Sequence, residues 1–126
     1  MAPALVAALV AISGGFGAIA RFMLDGLVRG RVRTLVPAGT MIINVSGSLL
    51  LGLLTGLVLF QAVAPDWRVV LGTGFLGGYT TFSTASFETV RLLQERRWAA
   101  ATVNGLGMLV LAAAAAAAGM AIAAAL

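Results

Sequence analysis

Between Gly72 and Glu88 the chain reads GTGFLGGYTTFSTASFE, with glycines at 72, 74, 77 and 78 followed by a run of serine and threonine inside an otherwise apolar stretch. In hydrocarbon each unsatisfied backbone group is costly, so a glycine-loosened, hydroxyl-rich segment at membrane depth persists only where protein buries it or where it lines a wet path. Hydroxyl groups are neutral donors and acceptors, suited to replacing the hydration shell of a small ion. On a helical wheel Thr81, Thr84 and Glu88 share one face, Phe82, Ala85, Ser86 and Thr89 a second, and Thr80, Ser83 and Phe87 a third. No face is purely apolar, so this helix belongs in the protein interior or against another subunit. The segment is read as an ion site, and Gly77 as a position needing backbone angles that other residues avoid.

Few other residues carry chemistry. Cysteine, histidine and lysine are absent, which excludes thiolate and imidazole chemistry and the usual zinc and haem sites. The four acidic residues, Asp25, Asp66, Glu88 and Glu95, are scattered, and no nucleotide-binding or metalloprotease motif occurs, so the chain is not expected to be an enzyme. Asn44 is the one amide in its apolar stretch, acting either as glue between helices or as a pore-facing donor. Arg21 follows Gly14-Gly15-Phe16-Gly17-Ala18 and either snorkels to the membrane boundary or orients a loop or partner. Glu88 ends the hydroxyl run, by hydrogen bonding there or by pairing with Arg91 three residues on.

The elements that position these groups follow from hydropathy. In 126 residues, 61% are hydrophobic and 10% charged, with a mean hydropathy of +1.08, the composition of a membrane-embedded chain. About 20 apolar residues cross a hydrocarbon core of about 30 Å, and four stretches qualify: about Ala4 to Leu24, Ala38 to Phe60, Val69 to Leu92 and Ala99 to Leu126. The expectation is an all-α, single transmembrane domain over residues 1–126 in the cell membrane, with the third helix interrupted near its middle. No charge precedes the first apolar run, so it reads as a retained span and not a cleaved signal. Trp67 and Trp98 each stand just before a span, at headgroup level. In the second span Ser48, Gly52 and Gly56 form a small-residue seam for helix packing, and the fourth runs into an alanine tract that reads as close-packed scaffold, with Asn104 its lone amide. The net charge of +4 rests on eight arginines and is topological, with no nucleic-acid partner expected.

These residues together resemble the small four-span fluoride channels called Fluc or CrcB. The resemblance rests on Gly14-Gly15, Gly17-Ala18 and Arg21 in the first span. It continues through Gly39-Thr40, Asn44, Gly47-Ser48 and Gly52 in the second, and through Gly74-Phe75, Gly77-Gly78, Thr80 to Thr84, Ser86 and Glu88 in the third. It implies a fluoride-selective channel that passively exports cytoplasmic fluoride, built as an antiparallel dimer with two pores and a central structural sodium ion. By the same resemblance, the backbone carbonyls of Gly77 and Thr80 hold the sodium. Asn44, Phe82, Ser83 and Thr84 line the pore, and Arg21, Gly47 and Glu88 are structural. The family pattern has a second phenylalanine three residues after Phe82, where this chain has Ala85. Phe87 does not replace it, because two further helical residues rotate a side chain by about 200°.

The physics of fluoride agrees. Neutral donors substitute for its water, and the positive edge of an aromatic ring favours an anion without a full cation to trap it. A proton-coupled multidrug exporter of similar size is the rival of another class, but such a carrier needs an intramembrane carboxylate early in the chain, and the first span has none before Asp25. A non-conducting subunit of a heterodimeric channel is the second alternative. Arg29, Arg31, Arg33, Arg91, Arg96 and Arg97 fall in the first and third connections against Arg68 alone in the second. Six against one predicts a fixed orientation by the positive-inside rule, which favours an oppositely oriented homologue as partner over a second copy of the same chain.

Overall fold

A computed structural model describes residues 1–126 as an all-helical chain. Helix α1, Pro3–Arg31, opens with Pro3 in its first turn and ends with Arg29 and Arg31 in its last, each favourable for its end of the helix dipole. Its 29 residues span roughly 44 Å at 1.5 Å per residue, more than the hydrocarbon requires, so its last turns from Asp25 onward stand beyond the apolar stretch. Helix α2, Ala38–Phe60, starts directly after Pro37. Helix α3, residues 65–79, begins at Pro65 and is wound as a wide π-helix over Arg68–Leu76. Thr80 (φ −81°, ψ 163°) and Thr81 (φ −149°, ψ 122°) are extended. Helix α4, Phe82–Gln94, restarts with Thr81 as its N-cap. Helix α5, Trp98–Ala125, contains a shorter π segment at Val103–Gly107.

Helices α1, α2 and α5 are each long and apolar enough to cross a membrane. The stretch between them is split, and neither half reaches the length of a span by itself, α4 having 13 residues. Two seams of small residues hold the bundle. Along α1 and α3, a side chain at Gly17 would strike the Phe75 carbonyl and one at Gly78 would strike the Gly14 carbonyl. Along α2 and α5, Gly52 lies against the Ala116 carbonyl and Gly119 against that of Leu49. Where lipid is as apolar as leucine, such backbone proximity is what drives helices together, and it gives the alanine tract of α5 its partner.

Ile43, Leu76 and Tyr79 form a small core beneath the break, with Phe75 stacked on Tyr79. Only 19 of 126 residues are buried, so most large apolar side chains, Phe16, Phe22 and Leu109 among them, face outward as in a lipid-solvated chain. The ends are tied in pairs. The Met1 ammonium meets Asp66 at 2.7 Å, and Arg29 meets Glu88 at 3.5 Å, so the first and third connections lie together, opposite the second.

Candidate functional site

The break between α3 and α4 is held by a side chain from another helix. Asn44 of α2 presents its amide to Thr81 as a second peptide would: the Thr81 N–H donates to Asn44 Oδ1 at 2.9 Å, and Asn44 Nδ2 donates to the Thr81 carbonyl at 2.9 Å. Extended backbone inside a membrane needs such partners. The consequence falls on the preceding turn. With its N–H on Asn44, Thr81 no longer serves the Gly77 carbonyl four residues back. Likewise the Thr84 N–H bonds the Thr81 hydroxyl at 3.2 Å and leaves the Thr80 carbonyl without its helical donor. The Gly78 carbonyl is taken by Arg21 Nε at 3.1 Å, which sets the guanidinium of α1 on this loop. Gly47 makes room on α2, because a side chain there would collide with the Thr80 methyl group and crowd the Tyr79 ring.

Beside the break runs a groove of about 620 Å³ whose lining includes Asn44, Gly77, Thr80, Phe82 and Ala85. Phe82 is 87% exposed and Phe87 69%, so both rings project from the chain. Ser83 and Thr84 are not on the groove wall. They belong to the cap of α4, where Thr81 Oγ1 lies 3.1 Å from Thr84 Oγ1 and 3.4 Å from Ser83 Oγ. Gly77 itself is ordinary helix (φ −62°, ψ −39°), and a side-chain carbon there would meet only the Gly72 carbonyl at an ordinary contact distance of 3.9 Å. The expectation that it needs glycine-only angles is therefore corrected: in this region glycine is demanded by helix contact at Gly78, and at Gly77 only room is kept.

Two residues that sequence reasoning assigned to scaffold, or did not single out, also reach the groove. Asn104 is 1% exposed and donates to Thr89 Oγ1 at 2.9 Å and to the Ala85 carbonyl at 3.3 Å, tying α5 to α4, while its Oδ1 has no donor. A single amide in an alanine-rich span was the available signal. Met108, one turn on, places its sulfur 3.1 Å from Asn44 Nδ2; no sequence pattern marked it.

Glu88 lies apart from this neutral centre. It is 5% exposed and accepts from Thr40 Oγ1 at 3.2 Å, with Arg29 of α1 alongside and Asp25 holding Arg29 at 2.9 Å. The alternative of an Arg91 partner is corrected, since Arg91 lies 3.9 Å from Glu95. Glu88 faces α1 and α2, and Arg91 borders the same small cavity without coming within ion-pair distance of it. No cluster of three or more His, Cys, Asp or Glu side chains exists, so a cation near the break would rest on neutral oxygens. The Gly77 and Thr80 carbonyls, relieved of their helical donors, fit that role.

The fold defines a multi-pass membrane protein whose polar centre is the extended Thr80–Thr81 between α3 and α4, sealed by the Asn44 side chain. Residues 8–120 match the family described as CrcB-like protein, Camphor Resistance (CrcB), and the chain belongs to that family. It is 56% identical over 108 residues to the fluoride-specific ion channel FluC 1 of Leifsonia xyli, covering 86% of this chain and 79% of that one. It is 44% identical over 119 residues to the fluoride-specific ion channel FluC of Thermococcus kodakarensis, covering 94% and 95%. A FluC 2 of Cutibacterium acnes is 53% identical over 83 residues, 65% of this chain and 68% of that one. These relatives are named as ion channels and not as enzymes.

Proposed function

We propose that the chain is one subunit of a dimeric, fluoride-selective channel that lets cytoplasmic fluoride leave down its gradient. The observation that carries the reading is the extended Thr80–Thr81 between α3 and α4, flanked by neutral donors and an exposed aromatic ring, in a chain whose relatives are named fluoride-specific channels. Fluoride gives up its water only to comparable hydrogen-bond donors; the Asn44 amide on the groove, and the Ser83 and Thr84 hydroxyls beyond its wall at the start of α4, are of that kind. The edge of Phe82 adds weak positive character without trapping the ion. The proton-coupled exporter is disfavoured because the buried carboxylate, Glu88, is engaged by Thr40 and Arg29 and lies outside the first span.

A sodium ion on the Gly77 and Thr80 carbonyls would supply a fixed positive charge and fill oxygen valences that the break leaves open. The groove and the outward Phe82 support completion of the pathway by a second subunit in the opposite sense. The arginine bias supports an oppositely inserted homologue as that subunit, which also suits Ala85 if one pore is degenerate. Efflux from liposomes holding this chain alone, fluoride against chloride, tests the core reading. Organic-cation export driven by protons, with no fluoride leak, would refute it. Thiol labelling from each side of the membrane at a cysteine introduced in the first connection tests the partner, and comparable labelling from both sides points to a homodimer.

A further inference from the structure

Asn44 has two amide hydrogens, and the structure accounts for them differently. The Thr81 N–H on Oδ1 fixes which way the amide faces and excludes the flipped assignment. One Nδ2 hydrogen is then committed to the Thr81 carbonyl. The other is directed at the thioether of Met108, 3.1 Å away and 6% exposed. Other donors about the break end on oxygen: the Thr80 hydroxyl on the Leu76 carbonyl, the Thr81 hydroxyl on Thr84, and the Asn104 amide on Thr89 and Ala85. Sulfur is a weak acceptor, and methionine is unbranched, with three rotatable bonds that let it swing aside within a groove.

We propose that Met108 is a displaceable cap on the Asn44 donor. It holds the amide hydrogen when no anion is near and yields it to one that arrives, so residue 108 sets how readily this pathway accepts fluoride. The inference rests on the channel reading above. A bare donor would bind the anion more tightly but stand unsatisfied when the pathway is empty, and a stronger acceptor would compete with the ion. The thioether lies between those limits.

The test compares Met108→Leu, which keeps volume but removes the acceptor, with Met108→Gln, which substitutes a stronger acceptor. In liposomes at fluoride concentrations below saturation, flux should rise about fivefold for leucine and fall about fivefold for glutamine, the ratio expected for one hydrogen bond of about 1 kcal/mol. A packing role alone lowers both. If the wild-type chain conducts and the two variants move together or not at all, the cap is wrong. A readout independent of flux is the side-chain amide resonance pair of Asn44 in labelled protein. Met108→Leu should shift the hydrogen facing residue 108 and leave the one on the Thr81 carbonyl in place. Absence of that selective shift overturns the inference even in a chain that conducts no fluoride, whereas the shift without flux removes the channel reading and leaves the contact standing.

Discussion

The two polar regions of this molecule solve the same problem in opposite ways. At the break, an extended dipeptide is sealed by a neutral amide and hydroxyls, with every charge kept away except the Arg21 guanidinium on the Gly78 carbonyl. At the end of α4, Glu88 is buried against Thr40, with Arg29 and Asp25 from α1 completing a charged cluster. A neutral centre can exchange its hydrogen-bond partners one at a time, because no step strands a full charge. A cluster of ions holds its geometry but gives up a member only with a large desolvation penalty. The first arrangement suits passage, and the second suits anchoring.

The sharpest way to break the comparison is at the backbone seam that carries the neutral centre. Gly78→Val sets a branched side chain against the Gly14 carbonyl and should abolish folded protein, read as loss of a monodisperse peak in detergent. Gly77→Ala, in helical backbone where the added methyl makes only an ordinary contact, should fold normally, and any change in its sodium dependence then reports on the carbonyl site. Equal damage at both positions would undo the distinction drawn between them.

Next in size is Asn44→Leu, which strands the Thr81 N–H and carbonyl. Each unpaired buried group costs about 1–3 kcal/mol, so the melting temperature in detergent should fall by several degrees or more and fluoride flux should be lost. Retained flux would mean that the break is held by something other than the amide. Phe82→Ile should lower flux at least tenfold with little change in melting, since the ring is 87% exposed and loses little burial. Phe87→Ile serves as the comparison, and equal sensitivity would show that the second ring shares the work.

The smallest effect is expected in the charged cluster. Glu88→Gln keeps an acceptor for Thr40 while removing one partner of Arg29, whose side chain is 63% exposed. Arg29 keeps Asp25 at 2.9 Å and the neutral amide leaves no buried charge unpaired, so flux should stay within about twofold and melting should shift slightly. Should Glu88→Gln abolish flux as Asn44→Leu does, the division into passage and anchor fails.

Sequence alone determined what depends on local composition and period. Long apolar runs broken by arginine and proline marked where helices cross, the small-residue seam of α2 marked a packing face, and the hydroxyl run with a single amide on α2 marked the polar centre. Three things were left to the tertiary structure. Asn44 reaches a backbone 37 residues away, Arg29 meets a carboxylate on α4, and Met108 comes to rest on a donor 64 residues back. A helical period says which side chains share a face, but not which face of which helix they meet, because that is decided by how closely the glycine seams let the backbones approach. The π-winding of α3 and α5 adds to this, since each wide turn rotates the residues beyond it away from the face that a regular helix would give them. Asn104 and Met108, plain scaffold by sequence, thus come to lie beside the break, while Ser83 and Thr84 follow the extended Thr80–Thr81 and sit at the start of α4.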